Sequence, residues 1–285
     1  MKKLEGSRGV EVFFKWIMFT AAITGMALLS GLYPIKGNIP LILLPSFFVL
    51  IFTNPVKFEK MKLMTLMATK ILIIFVVLGM FDKQLFVDIV LAMLIVNILE
   101  ATFTDFFRYK KVFNGISGIA LAIGVIVLQG TWQTEALVGQ YYLAEGVLPI
   151  ITLMYIIAYT IWNWIFVTNE FSPSVALMHV GFLLAPILCS IFSFEFGVYG
   201  GLGIWLLTRA NSLAIGGWLQ IGCKSWFEKE FYSPHFEKFV LFTKKQPVQI
   251  ALMLINVGLI VAALYLTHIN GGIQLTFFPM KFLGF

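Results

Sequence analysis

The sequence predicts an all-α bundle of transmembrane helices, a polytopic membrane fold, and three observations carry that prediction. Apolar runs recur along the chain at roughly the length, about 20 residues at ~1.5 Å rise each, that a helix needs to cross a bilayer. Hydrophobic residues make up 60% of the 285 and charged residues only 12%. The mean hydropathy of +0.93 lies far outside soluble-domain composition. Third, lysine and arginine gather in alternate connecting segments, as topology rather than chance dictates.

Nine spans are expected, at 12–32, 38–53, 63–80, 85–107, 112–129, 147–168, 174–193, 197–221 and 247–267. No polar stretch between them exceeds about 25 residues, against ~50 for a small domain. Residues 1–285 are therefore expected to form a single integral membrane domain. The basic opening MKKLEGSRGVEVFFKW precedes an apolar run, as in a signal peptide. No A-x-A-like site follows and the run is span-length, so it reads as an uncleaved first span. The second span is the shortest and is interrupted by Pro45, a residue that removes a helix donor. The third carries Lys70, which a slight shift of the span lets snorkel to the cytoplasmic face.

The fourth span, LFVDIVLAMLIVNILEATFTDFF, places Asn97, Glu100, Thr104 and Arg108 at i, i+3, i+7 and i+11, one polar stripe on a helix. Asp88 near its start is expected to reach water. The fifth and eighth spans are rich in small residues: Gly118 with Ala122, Ala120 with Gly124, Gly197 with Gly201 and Ala210 with Ala214. That spacing lets helix backbones approach closely. The sixth span gives a second stripe of Thr152, Tyr155, Tyr159, Asn163 and Glu170, with Trp162, Trp164 and Phe166 as an aromatic belt at its lower end. The seventh opens on Ser172-Pro173-Ser174, a capping residue followed by a first-turn proline, and holds His179.

The eighth span holds the most informative residue. Arg209 falls near the middle of 197–221, flanked by Asn211 and, one turn on, Ser212. A charge at that depth costs about 2.5–3.5 kcal/mol on insertion scales and faces a bundle interior or a wet cavity. Glu100 is the first candidate for its partner and Asp105 the second. Residues 222–246 mix lysines and glutamates with Trp226, Phe227, Phe231, Tyr232, Phe236 and Phe239, a cytoplasmic segment lying in the interface. The longest outside loop, 130–146, has no basic residue.

With the N-terminus cytoplasmic, inside segments hold fifteen Lys and Arg residues and outside segments three. That bias gives a cytoplasmic N-terminus and an outside C-terminus. It also explains the net charge of +6 without nucleic acid, and points to a bacterial cytoplasmic membrane. The two cysteines, Cys189 and Cys223, form no disulfide framework. His179, His235 and His268 show no paired spacing, so neither a metal nor another cofactor is expected. No G-x-S-x-G occurs, and the glycine-rich YGGLG lacks the Lys-Ser/Thr of a phosphate loop.

Binding is the chemistry these residues favour. Arg209 offers charge to an anion; Asn163, Asn211, Tyr159, His179, Glu170 and Ser212 offer orienting hydrogen bonds; Glu100 is a protonatable counter-charge. The leading expectation is a cytoplasm-facing polar cavity that binds or transports a small polar or anionic solute, with proton coupling through Glu100. The alternative is an intramembrane enzyme acting on a lipid or isoprenoid with Glu100, Glu170 or His179 as acid–base groups. A structural or assembly subunit, whose buried charges only fix packing, is the third reading.

Overall fold

The computed structural model of the chain describes residues 2–128, 132–134, 141–143, 149–192 and 202–271. Within them it is helical apart from one short hairpin. Contacts divide the described residues into two compact units. One comprises those of Met1–Asp82 and Phe171–Leu241, the other those of Lys83–Leu137, Tyr141–Glu170 and Phe242–Phe285.

The first unit opens with α1, Lys2–Leu32. The expected second span then forms from α2 (Pro34–Asn38), a π-turn at Ile39–Leu43 and α3 (Leu44–Phe52). The π-turn makes Pro45 a first-turn residue of α3, where a missing donor is tolerated, so the proline does not break the span. Helix α4, Lys57–Val77, is followed by Gly79 at φ +73°, a left-handed residue that glycine adopts without strain.

After the second unit's segments, α8 runs over Pro173–Phe192 and a 3₁₀ turn at Leu202–Ile204 leads into α9, Trp205–Glu230. This corrects the expected eighth span. Its helix starts at Trp205 and passes Ile221, bending at Cys223, and 197–201, including the Gly197–Gly201 pair, lie outside the described residues. Beyond the bend come the last turns of α9 and then α10, Pro234–Thr243. The core is aromatic: Phe19 of α1 lies 5.3–5.5 Å, centroid to centroid, from Phe182 of α8 and Phe227 and Phe231 at the end of α9.

The second unit contains α5 (Lys83–Phe103) with a π-turn at Thr104–Tyr109, α6 (Val112–Leu128), α7 (Pro149–Glu170) and α11 (Gln246–Gly271). Within the loop expected at 130–146, β1 (Trp132–Thr134) and β2 (Tyr141–Leu143) pair as an antiparallel hairpin, with Trp132 opposite Leu143. The other residues of that loop lie outside the description. Gly118 is required by close packing: a Cβ there would overlap the Thr102 hydroxyl and stand 2.8 Å from Trp162 Nε1. Asn256 of α11 donates Nδ2 to the Ala158 carbonyl of α7 at 2.5 Å.

Six helical segments among the described residues are long and apolar enough to cross a membrane: Arg8–Leu32, Pro34–Phe52, Lys83–Tyr109, Ile150–Glu170, Pro173–Phe192 and Gln246–Asn270. Val112–Val127 is apolar but shorter. Large apolar side chains face outward along these helices, among them Phe13, Phe14, Met18 and Leu29 on α1 and Leu254, Val261 and Tyr265 on α11. So much exposed hydrocarbon fits a lipid surrounding better than water.

Candidate functional site: a buried cationic cluster

The most distinctive chemistry of the first unit lies where the C-terminal parts of α1 and α4 meet the start of α9. Lys70 of α4 is 2% exposed. Its Nζ donates to Asn211 Oδ1 at 2.6 Å, and Asn211 Nδ2 donates in turn to the Ala27 carbonyl of α1 at 3.0 Å. Snorkelling is thus not what Lys70 does. The expectation came from treating the span alone, whereas α9 supplies an acceptor inside the bundle.

Arg209 is 5% exposed. It sits in the second turn of α9 rather than mid-span, because the helix begins at Trp205. Its Nη1 donates to Ser212 Oγ at 3.3 Å, and that hydroxyl donates to the Arg209 carbonyl at 3.0 Å. Asn211 and Ser212 are fully buried. Further along α9, Gln220 Oε1 meets His179 Nε2 at 3.0 Å, and the imidazole stacks on Phe171 at 4.6 Å. Arg209 and Gln220 stand about 16 Å apart along the helix at ~1.5 Å per residue.

The described carboxylates of this unit lie elsewhere. Glu11, Asp82 and Glu228 are exposed, and Glu59, Glu230 and Glu237 are partly exposed. Lys15 bonds both Glu11 and Glu230 at 2.6 Å, and that bond holds the Glu230 carboxyl below its ordinary range. The buried charges described in the first unit are therefore Lys70 and Arg209, both positive. An apolar groove of about 470 Å³, lined by Val10, Phe13, Trp16, Leu177 and Phe236 among others, opens between α1 and α10 and shares no residue with the cluster.

Of the eight residues singled out from sequence, Arg209, Asn211, Ser212 and His179 belong to this unit. Glu100, Tyr159, Asn163 and Glu170 belong to the second. There Asn163 Nδ2 donates to the Tyr159 hydroxyl at 3.3 Å, both residues being buried. Glu100 is half-buried, and its carbonyl accepts from Thr104 Oγ1 at 2.9 Å. The expected stripe fails at its lower end. The π-turn at Thr104–Tyr109 rotates the following residues, so Arg108 is exposed and Asp105 is the buried one. Glu170 is partly buried, and acts electrostatically on Asp105 and Tyr109. Outside the spans, burial and the nearby Lys111 charge lower the Lys244 ammonium from its usual value.

Sequence reasoning missed Gln220 and the Lys70–Asn211 bond, whose partners stand 141 residues apart. No local spacing signals such a contact. Among the described residues, no three His, Cys, Asp or Glu side chains stand close enough to hold a metal ion.

Taken together, the fold and its outward apolar faces are compatible with an integral membrane protein. The chain matches no known family model, and no curated protein and no solved structure shows significant similarity to it.

Proposed function

We propose that the protein binds, and moves across its membrane, a small anionic solute. The observation that supports this most is Lys70, a buried basic side chain whose hydrogen-bond acceptor is the neutral amide of Asn211. A buried cation gains most from a negative partner, and a bound carboxylate or phosphate would supply it. Arg209, two residues before Asn211 on α9, is a second buried basic residue, and Ser212 adds a hydroxyl. His179 and Gln220 extend a polar line along α9.

The proposed setting is a nine-span protein in the cytoplasmic membrane of a bacterium, with a cytoplasmic N-terminal segment; the fifteen-to-three distribution of basic residues supports it. In that orientation Lys70 and Arg209 lie in the outer half, while His179 and Gln220 lie toward the cytoplasm. Glu100 is kept as a proton-coupling group of the second unit. The test is uptake into proteoliposomes driven by a gradient of a labelled anion. Lys70→Met and Arg209→Ala are expected to abolish uptake while the protein stays folded. Turnover of a lipid in detergent without any gradient would instead favour the intramembrane enzyme.

A further inference from the structure

In the second unit one carboxylate is placed as no other in the described chain. Asp105 is 0% exposed and Asn114, nine residues on at the start of α6, is 1% exposed. Asn114 Nδ2 donates to Asp105 Oδ2 at 2.6 Å. The remaining side-chain oxygen of each residue, Asp105 Oδ1 and Asn114 Oδ1, is buried without a hydrogen-bond partner. Among the described residues, none forms an ion pair with Asp105 within 4.0 Å.

Two orphaned acceptors in one bonded pair are chemically redundant while the carboxylate is ionised. They become complementary once Oδ1 carries a proton, because that atom then donates and the amide oxygen accepts. An isolated ionised carboxylate in an apolar interior is costly, and the usual relief is neutralisation. The setting holds the arrangement in place. Lys110 adopts a left-handed conformation at φ 53°, and the Lys111 backbone N–H closes on the Asp105 carbonyl at 2.8 Å, fixing the π-turn against α6. The charged groups acting on Asp105 are Glu170 of α7 and Lys111 before α6. On its own element stand Tyr109 and the exposed Arg108, and α11 is preceded by Lys244, which acts on Lys111.

We infer that Asp105 and Asn114 form a proton-binding site, with the proton held on Asp105 Oδ1 and shared with Asn114 Oδ1. The inference stands apart from solute transport, since it concerns occupancy by a proton whatever the protein carries. Infrared difference spectroscopy of the full-length protein in liposomes tests it. At neutral pH the wild type is expected to show a protonated carboxylic C=O band that Asp105→Asn removes. Asn114→Ala is expected to shift that band, because its O–H loses the amide acceptor. Should Asp105→Asn fail to fold, ¹³C-aspartate labelling of the wild type and of Asn114→Ala reads the same band, and in Asp105→Glu the label should no longer shift it. A spectrum in which only the ionised carboxylate signal responds to Asp105→Asn overturns the inference. So does a protein stabilised by sodium chloride but not by choline chloride through Asp105, which would make the site one for a metal cation.

Discussion

At the residue scale, the buried polar contacts give the sharpest expectations. Asn211 joins Lys70 to Ala27, so Asn211→Leu leaves the buried Lys70 side chain without its acceptor. Thermal unfolding in detergent should show a loss of about 1–3 kcal/mol. Removing both polar groups, in Lys70→Met with Asn211→Leu, should recover most of that, as a buried polar network replaced by packed hydrocarbon often does. Gly118 gives a packing test. Gly118→Val forces a side chain against Thr102 and Trp162 and should cost about 1–3 kcal/mol. Gly258→Ala, on α11 with nothing near its missing Cβ, should instead stabilise by up to about 1 kcal/mol. These contacts explain why sequence found part of the site. Arg209 announced itself as a charge in an apolar run, but its helical turn depended on where α9 begins. Lys70 was visible and misjudged, because its acceptor lies on a helix far along the chain.

At the element scale, apolar periodicity and length located the helices, since a span is legible from its own residues. Helix α7, Pro149–Glu170, falls close to the expected 147–168, and α8, Pro173–Phe192, close to 174–193. Departures occur where local geometry overrides a regular 3.6-residue repeat. The π-turns at Ile39–Leu43 and Thr104–Tyr109 seat Pro45 and turn Asp105 inward, and neither has a strong sequence signature. The junction of α1 with the end of α9 carries its own prediction through the Lys15–Glu230 pair. The folded carboxyl titrates below its unfolded value. Its contribution is therefore present above the unfolded value and is lost as pH falls through the folded one. Melting temperature followed from neutral to acid pH should decline less steeply in Glu230→Gln than in the wild type.

At the scale of the whole molecule, basic residues set the proposed orientation and buried cations set the proposed task. Single cysteines introduced at 57–62, 108–111 and 224–229 should all be labelled from the same side of sealed vesicles by an impermeant maleimide, and one at Lys36 or Lys83 from the other. Composition made the membrane class legible. The division into two units was not, because it depends on which helices pair, a choice made by long-range packing that outward-facing leucines and valines do not encode. The most direct measurement of the central claim is thermal stability of the purified protein across a panel of phosphate, sulfate and small carboxylates beside neutral isosteres of similar size. An anion should raise the melting temperature where its neutral isostere does not, and Lys70→Met should remove the shift. Equal response to anion and isostere, or a shift unchanged in Lys70→Met, would contradict it.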